Sequence, residues 1–159
     1  MPDMKNLLLA LLVTFPFIVN ASEIIGDSFK VNLPTSFGKV IEKKKEDRTS
    51  WSFNSKYGDF LLTEKQCEGC PGPSQSSVTE LLNDPSDSDF GAVLLNVNGE
   101  VGLLEYMPIR KQVMFVAVDF MIENMNVRVR LVTRLGLKPA EVQMANVELM
   151  RLLNAIEFN

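Results

Sequence analysis

The sequence predicts an α+β domain: an antiparallel sheet, built as a meander, covered by a long C-terminal helix and a short middle helix. Three observations carry this expectation. Apolar and polar residues alternate with period two in several runs, the Asn98-Gly99 dipeptide separates two such runs, and the spacing turns helical over a long stretch after Pro139. Strands followed by a closing helix make a two-layer architecture in which the helix buries the apolar face of the sheet.

The first residues stand apart from this domain. Met1 to Asn6 is polar with Lys5 as its positive charge, 7–19 is apolar, and Val19, Asn20 and Ala21 offer small residues at the minus three and minus one positions before Ser22. That order is expected of a signal peptide at 1–21, leaving a single exported domain at 22–159. The run of about 13 apolar residues is shorter than the ~20 that a membrane-spanning helix needs, so no stable membrane span is expected.

Phe29, Val31 and Leu33 alternate with Lys30 and Asn32 until Pro34, which predicts a first strand over 28–33. Lys43, Lys44 and Lys45, flanked by Glu42, Glu46 and Asp47, suit a solvated loop or strand end. Trp51 and Phe53 alternate with polar neighbours, Lys56-Tyr57-Gly58-Asp59 supplies turn chemistry, and Phe60-Leu61-Leu62 follows, which together predict a hairpin. The spacing of Ser77-Val78-Thr79-Glu80 is that of a capping box opening a short helix over 77–83, which Asp84-Pro85 then ends.

From 92 onward the pattern is denser. Runs over 92–97 and 100–107 flank Asn98-Gly99, whose residues tolerate the positive φ of a tight hairpin turn. The run over 112–123 is apolar on both faces, as a central strand requires, and 127–134 places Val127, Val129 and Leu131 opposite Arg128, Arg130 and Arg134. A tight turn near 124–126 that aligns the apolar faces brings Asp119 and Glu123 beside Arg128 and Arg130, where charge pairing supports the register. Pro139 then suits the first position of a helix over 139–156, with Val142, Ala145, Leu149, Leu152, Leu153 and Ile156 on one face and Glu141, Glu148, Arg151 and Asn154 largely elsewhere.

Composition narrows the function. Sixteen Lys and Arg against twenty Asp and Glu leave a net charge of -4, without the dense basic patch that nucleic acid demands, so no nucleic-acid partner is expected. There is no histidine, which removes the Ser-His-Asp triad, the Cys-His dyad and every His-ligated zinc site. Neither cofactor, metal nor catalytic residue is nominated by any motif.

Cys67-Glu68-Gly69-Cys70 is the one short motif with a chemical reading. Two thiols so spaced form a disulfide in an oxidising compartment, serve as a redox pair, or supply half of a metal site shared between two chains. The disulfide is the expectation: Pro71 and Pro73 disfavour the helix start that would stabilise a thiolate, and Pro71 stands where c-type haem attachment needs His. Asp84, Asp87 and Asp89 miss the calcium-loop spacing and read as a solvated loop. Met107, Met114, Met121, Met125, Met144 and Met150 read as core packing rather than soft-metal ligands.

Asp119 lies in the middle of an apolar strand and must be paired, hydrogen-bonded or protonated. A cross-strand pair with Arg128 or Arg130 answers that need. The same residues, with Glu123 and the aromatics Trp51 and Tyr57, form a candidate binding patch if they line a groove, although Trp51 suits a core position at least as well as an interface anchor.

The opening Phe29-Lys30-Val31-Asn32-Leu33-Pro34, the strand region around Trp51 and the meander ending in a helix before Ile156 and Phe158 resemble the PsbP-like fold. That resemblance implies a non-enzymatic binding or assembly factor, exported to the periplasm or a comparable lumen, whose partner is another exported or envelope protein. Immunity proteins, small, acidic and exported, are one concrete form of such a module. The Cys67 to Cys70 insertion is not part of the family pattern. It keeps a second class open, a periplasmic thiol-disulfide protein or redox sensor.

Overall fold

The computed structural model describes residues 22–83, 91–109 and 113–159. The stretch expected to be a signal peptide, 1–21, and the expected solvated loop of Asp84, Asp87 and Asp89 lie outside the described residues.

Phe29 and Val31 are fully buried while Lys30 and Asn32 face solvent, so the expected alternation forms a strand, β2 (Phe29–Asn32). It pairs antiparallel on one side with β1 (Glu23–Ile25), placing Ile24 opposite Val31. Its other partner is the C-terminal β10 (Ile156–Phe158), with Ile156 opposite Val31 and Phe158 opposite Phe29. These three strands make a small sheet.

The larger sheet has seven strands, all antiparallel. In chain order they are β3 (Ile41–Lys45), β4 (Arg48–Asn54), β5 (Gly58–Gln66), β6 (Gly91–Val97), β7 (Glu100–Ile109), β8 (Val113–Ile122) and β9 (Met125–Thr133). Their spatial order is β3-β4-β5-β9-β8-β7-β6. Two meanders are therefore joined where β5 meets β9, in a ladder from Gly58 opposite Thr133 to Gln66 opposite Met125. The Asn98-Gly99 hairpin forms with φ of 51° and 96°, the positive values that these two residues tolerate best.

The alternation sorts the sheet into two faces. One face presents Trp51, Phe53, Phe60, Leu62, Val116, Val118, Phe120, Val127, Val129 and Leu131 to the main core. There they meet Ile24, Phe29 and Val31 of the small sheet and Ala145, Leu149, Leu152 and Leu153 of α2 (Pro139–Asn154). Each such side chain contributes roughly 1.5–3 kcal/mol of transfer free energy on burial, and this face does most of the stabilising.

Helix α2 opens as expected, with Pro139 in its first turn and the Glu141 carboxylate accepting the Lys138 N–H at 2.9 Å. It ends two residues early. The Ala155 N–H closes on the Leu152 carbonyl at 3.0 Å, and Ile156 begins β10 instead of a further helical turn. Glu148 is a second correction: it is buried with Leu149, and its Oε2 finds no hydrogen-bond partner among the described residues. Met144 and Met150 depart from the expected core packing, being about half exposed, whereas Met114 is buried.

Helix α1 (Gln75–Leu82) begins two residues before the expected start. Its cap is Ser74, whose Oγ accepts the Ser77 N–H at 3.3 Å, so the Ser77 to Glu80 stretch lies inside the helix rather than at its threshold. The lysine run belongs to β3, the edge strand, and all five β3 residues are exposed. Charge on an edge strand opposes pairing with another chain.

Candidate ligand-binding face

Register alone decides which side chains share the second face of the large sheet. Asp119 stands directly opposite Arg128, Ala117 opposite Arg130, and Glu105 of β7 opposite Ala117. On the far side, Leu61 is opposite Arg130 and Thr63 opposite Arg128. A row of charges thus crosses β7, β8 and β9 on the face turned away from the main core.

The segment joining β5 to α1 borders this face at one end. The Cys67 N–H bonds to the Asn124 carbonyl at 2.8 Å, continuing the β5–β9 ladder past Gln66. Gly72 then lies close to Met121, where an added Cβ would meet the Met121 Cβ at 3.7 Å. Val78 of α1, Leu103 and Ala117 are buried yet stand outside the main core cluster, so the second face has a small apolar cover of its own.

Within the row, Arg128 Nη2 donates to Glu105 Oε2 at 2.9 Å, while its Nε lies 3.4 Å from Asp119 Oδ2 without the alignment of a hydrogen bond. Asn126 Nδ2 adds a weak contact to Asp119 Oδ1 at 3.4 Å. The Asp119 and Glu105 side chains are only 17% and 19% exposed, which limits the solvent screening of the pair. Burial pushes both carboxyls above their ordinary values, and Arg128 pulls both back down.

Arg130 is placed differently. It is half-buried, and its Nε is shut off from solvent and finds no hydrogen-bond partner among the described residues. Burial first, then the like charge of Arg128, lower its pKa, with Asp119 opposing. Beside it the sheet dips into an open depression of about 350 Å³ lined by Leu61, Phe115, Val132 and Arg130, with Ser52 and Asp59 also bordering it.

The expected patch is therefore brought together only in part. Asp119, Arg128 and Arg130 share one face, whereas Glu123 leaves the ladder, taking φ of 52° in the two-residue turn between Ile122 and Met125. Trp51 points the other way: it is buried in the core, edge-on to Phe29, with its Nε1 donating to Glu42 Oε2 at 3.0 Å. Tyr57 sits in the β4–β5 turn, half-buried against the core, with Lys56 Nζ 5.3 Å from its ring centre. Neither aromatic lines the depression.

Sequence reasoning missed Glu105, the second carboxylate on Arg128. The signal was present in Glu105 sharing a strand face with Leu103 and Met107, but its place opposite Ala117 depends on the β7–β8 register, which no local turn motif announces.

Cys67 and Cys70 are joined as a disulfide at the rim of the same region, with Cys70 exposed. Neither cysteine opens a helix, because α1 starts only at Gln75. Among the described residues no group of three acidic or Cys side chains is arranged to hold a metal ion, and no helix is long and apolar enough to cross a membrane.

No protein-family model matches the sequence, and no curated protein matches it. A Bacteroides thetaiotaomicron VPI-5482 crystal structure aligns at a TM-score of 0.49 and 11% identity, over 87% of this chain and 48% of that one, so this chain spans about half its length. The solution structure of cyanobacterial PsbP (CyanoP) from Synechocystis sp. PCC 6803 is similar over 94% of this chain and 99% of that one, with a TM-score of 0.56 and 10% identity. Identity that low speaks to architecture, and the α+β fold built here from strand register and helix packing is PsbP-like.

Proposed function

We propose that this protein is an exported, non-enzymatic protein-binding or assembly module whose partner docks on the charged face of the large sheet. One observation carries the reading: Arg130, desolvated and without a hydrogen-bond partner for its Nε among the described residues, borders an open apolar depression beside a carboxylate pair already engaged by Arg128. Such a guanidinium gains most when a partner supplies the missing acceptor, since a buried polar group left unpaired costs about 1–3 kcal/mol. An immunity-like role, in which the partner is a toxin, is one form of this function.

Export is part of the proposal. A signal peptide at 1–21, a Cys67–Cys70 disulfide and the PsbP-like fold support an extracytoplasmic location, periplasmic or secreted. N-terminal sequencing of the mature chain should begin at Ser22, and a retained Met1 in envelope fractions would refute it.

The test of function is affinity purification of the tagged, exported protein from its native envelope, with and without reductant. A stoichiometric partner retained in reductant is the expected result. The absence of any partner, with the chain folded, would sink the binding-module reading.

The exposure of Cys70 favours a second reading, a thiol-disulfide protein or redox sensor using Cys67 and Cys70. It predicts partners seen only without reductant, and a disulfide that equilibrates with glutathione. A structural staple would instead resist reduction by that couple.

A further inference from the structure

We propose that the depression beside Arg130 accepts an apolar side chain whose neighbouring carboxylate pairs with Arg130, so that the partner's contact segment is an apolar-acidic one. This rests on the binding-module reading above and names the chemistry of its contact.

The charge balance of the face sets the sign of the partner. Glu105 and Asp119 both face Arg128, which lies 2.9 and 3.4 Å from them. Arg130 and Arg48, like charges that act on each other across the same sheet, have no ion pair among the described residues. Asp59 also borders the depression but makes no ion pair with Arg130, so two arginines of this face remain unpaired among the described residues. A guanidinium that is half-buried, with its Nε shut off from solvent, pairs best with a carboxylate, whose two oxygens match its fork.

The walls set the rest. Leu61 and Phe115 are half-buried and Val132 is 38% exposed, so the depression offers apolar surface that water covers poorly. About 350 Å³ has room for one large side chain, and because the depression is open on one side it leaves much of an occupant's surface uncovered, unlike small-ligand sites, which bury most of it. Shallow pockets that seat one anchor beside a charged pair are features of protein contacts.

The test uses a minimal mimic. The purified exported protein, labelled with 15N, is titrated with N-acetylphenylalanine, with its uncharged amide and with acetate. The acid should perturb the Arg130 Nε–H and the backbone amides of Leu61, Phe115 and Val132 saturably, and the amide and acetate should bind at least tenfold more weakly. The Arg130→Gln variant, folded by its unperturbed spectrum away from β9, should lose the acid's advantage over the amide. Equal binding of acid and amide by the unaltered protein, or perturbations centred elsewhere, would overturn the proposal whether or not the variant folds. The partner purification reports separately: a partner that binds Arg130→Gln undiminished overturns this contact but leaves the binding module standing, and no partner at all removes the module itself.

Discussion

The Glu64 carboxylate accepts the Ser28 backbone N–H at 2.7 Å, tying the turn between β1 and β2 to the fifth strand of the chain. The same group accepts the Asp27 N–H at 2.8 Å and the Ser28 hydroxyl. A carboxylate 2% exposed would be costly alone, yet here three donors meet it, and it fastens the small sheet to the large one. Glu64→Ala should cost about 3 kcal/mol, because two turn amides lose their acceptor inside the protein. Glu64→Gln, which keeps one acceptor oxygen, should cost less. Urea denaturation checks both, and a loss under about 1 kcal/mol for the alanine variant would mean that water replaces the carboxylate.

Asn98 performs a comparable task at the other end. Its Nδ2 donates to the Ile156 carbonyl at 2.5 Å and reaches the Asn154 carbonyl at 3.3 Å, so the β6–β7 turn clasps the exit of α2. Its φ of 51° also favours Asn or Gly over other residues. Asn98→Gly keeps the backbone and loses the clasp, whereas Asn98→Ala loses both. The expected costs are about 1 and about 2 kcal/mol, in that order, and thermal unfolding of both variants gives the ranking. A reversed ranking would show that the turn conformation contributes nothing.

How much of this was legible beforehand depends on the range of the signal. Asn98-Gly99 marks its hairpin locally, and the apolar faces of β8 and β9 had to align, which placed Asp119 against Arg128. Ile156 could not be read that way. It falls at helical spacing from Leu149, Leu152 and Leu153, and its pairing with Val31 joins residues far apart in sequence. A three-residue strand carries too little alternation to announce itself. The same limit hid β1 and the β5–β9 pairing. Glu148 shows a second limit: helical spacing says which residues share a face, and only packing says how far that face is buried; for Trp51, which suited core and interface alike, packing decides for the core.

Asp119 gives a pH dependence whose sign follows from its surroundings. Burial raises the folded-state pKa above the ordinary value of 3.8, despite the pull of Arg128. The folded protein therefore holds this proton more tightly than the unfolded chain, and stability falls as pH rises from 3.8 through the raised value. Glu105 shifts in the same direction, partly because of Asp119, so Asp119→Asn relieves both. The stability of the unaltered protein minus that of Asp119→Asn should decrease as pH climbs from about 3 to about 7. A difference that grows over this range would show that the attraction of Arg128 outweighs burial.

The disulfide closes so short a loop that its removal should be mild. Cys67 and Cys70 are three residues apart, and the chain-entropy relation gives about 2 kcal/mol for a ring of this size. The segment also keeps anchors that do not need sulfur: the Cys67 N–H on the Asn124 carbonyl, and Val78 buried under α1. Cys67→Ser with Cys70→Ser should therefore fold, lose no more than that increment in urea, and retain the near-ultraviolet circular dichroism of a packed core. If the double variant also binds the retained partner with unchanged affinity, the disulfide is a staple for the chain's passage from β5 to α1. If partner capture is abolished while stability is intact, the sulfurs belong to the function, and the thiol-exchange reading takes precedence over docking beside Arg130.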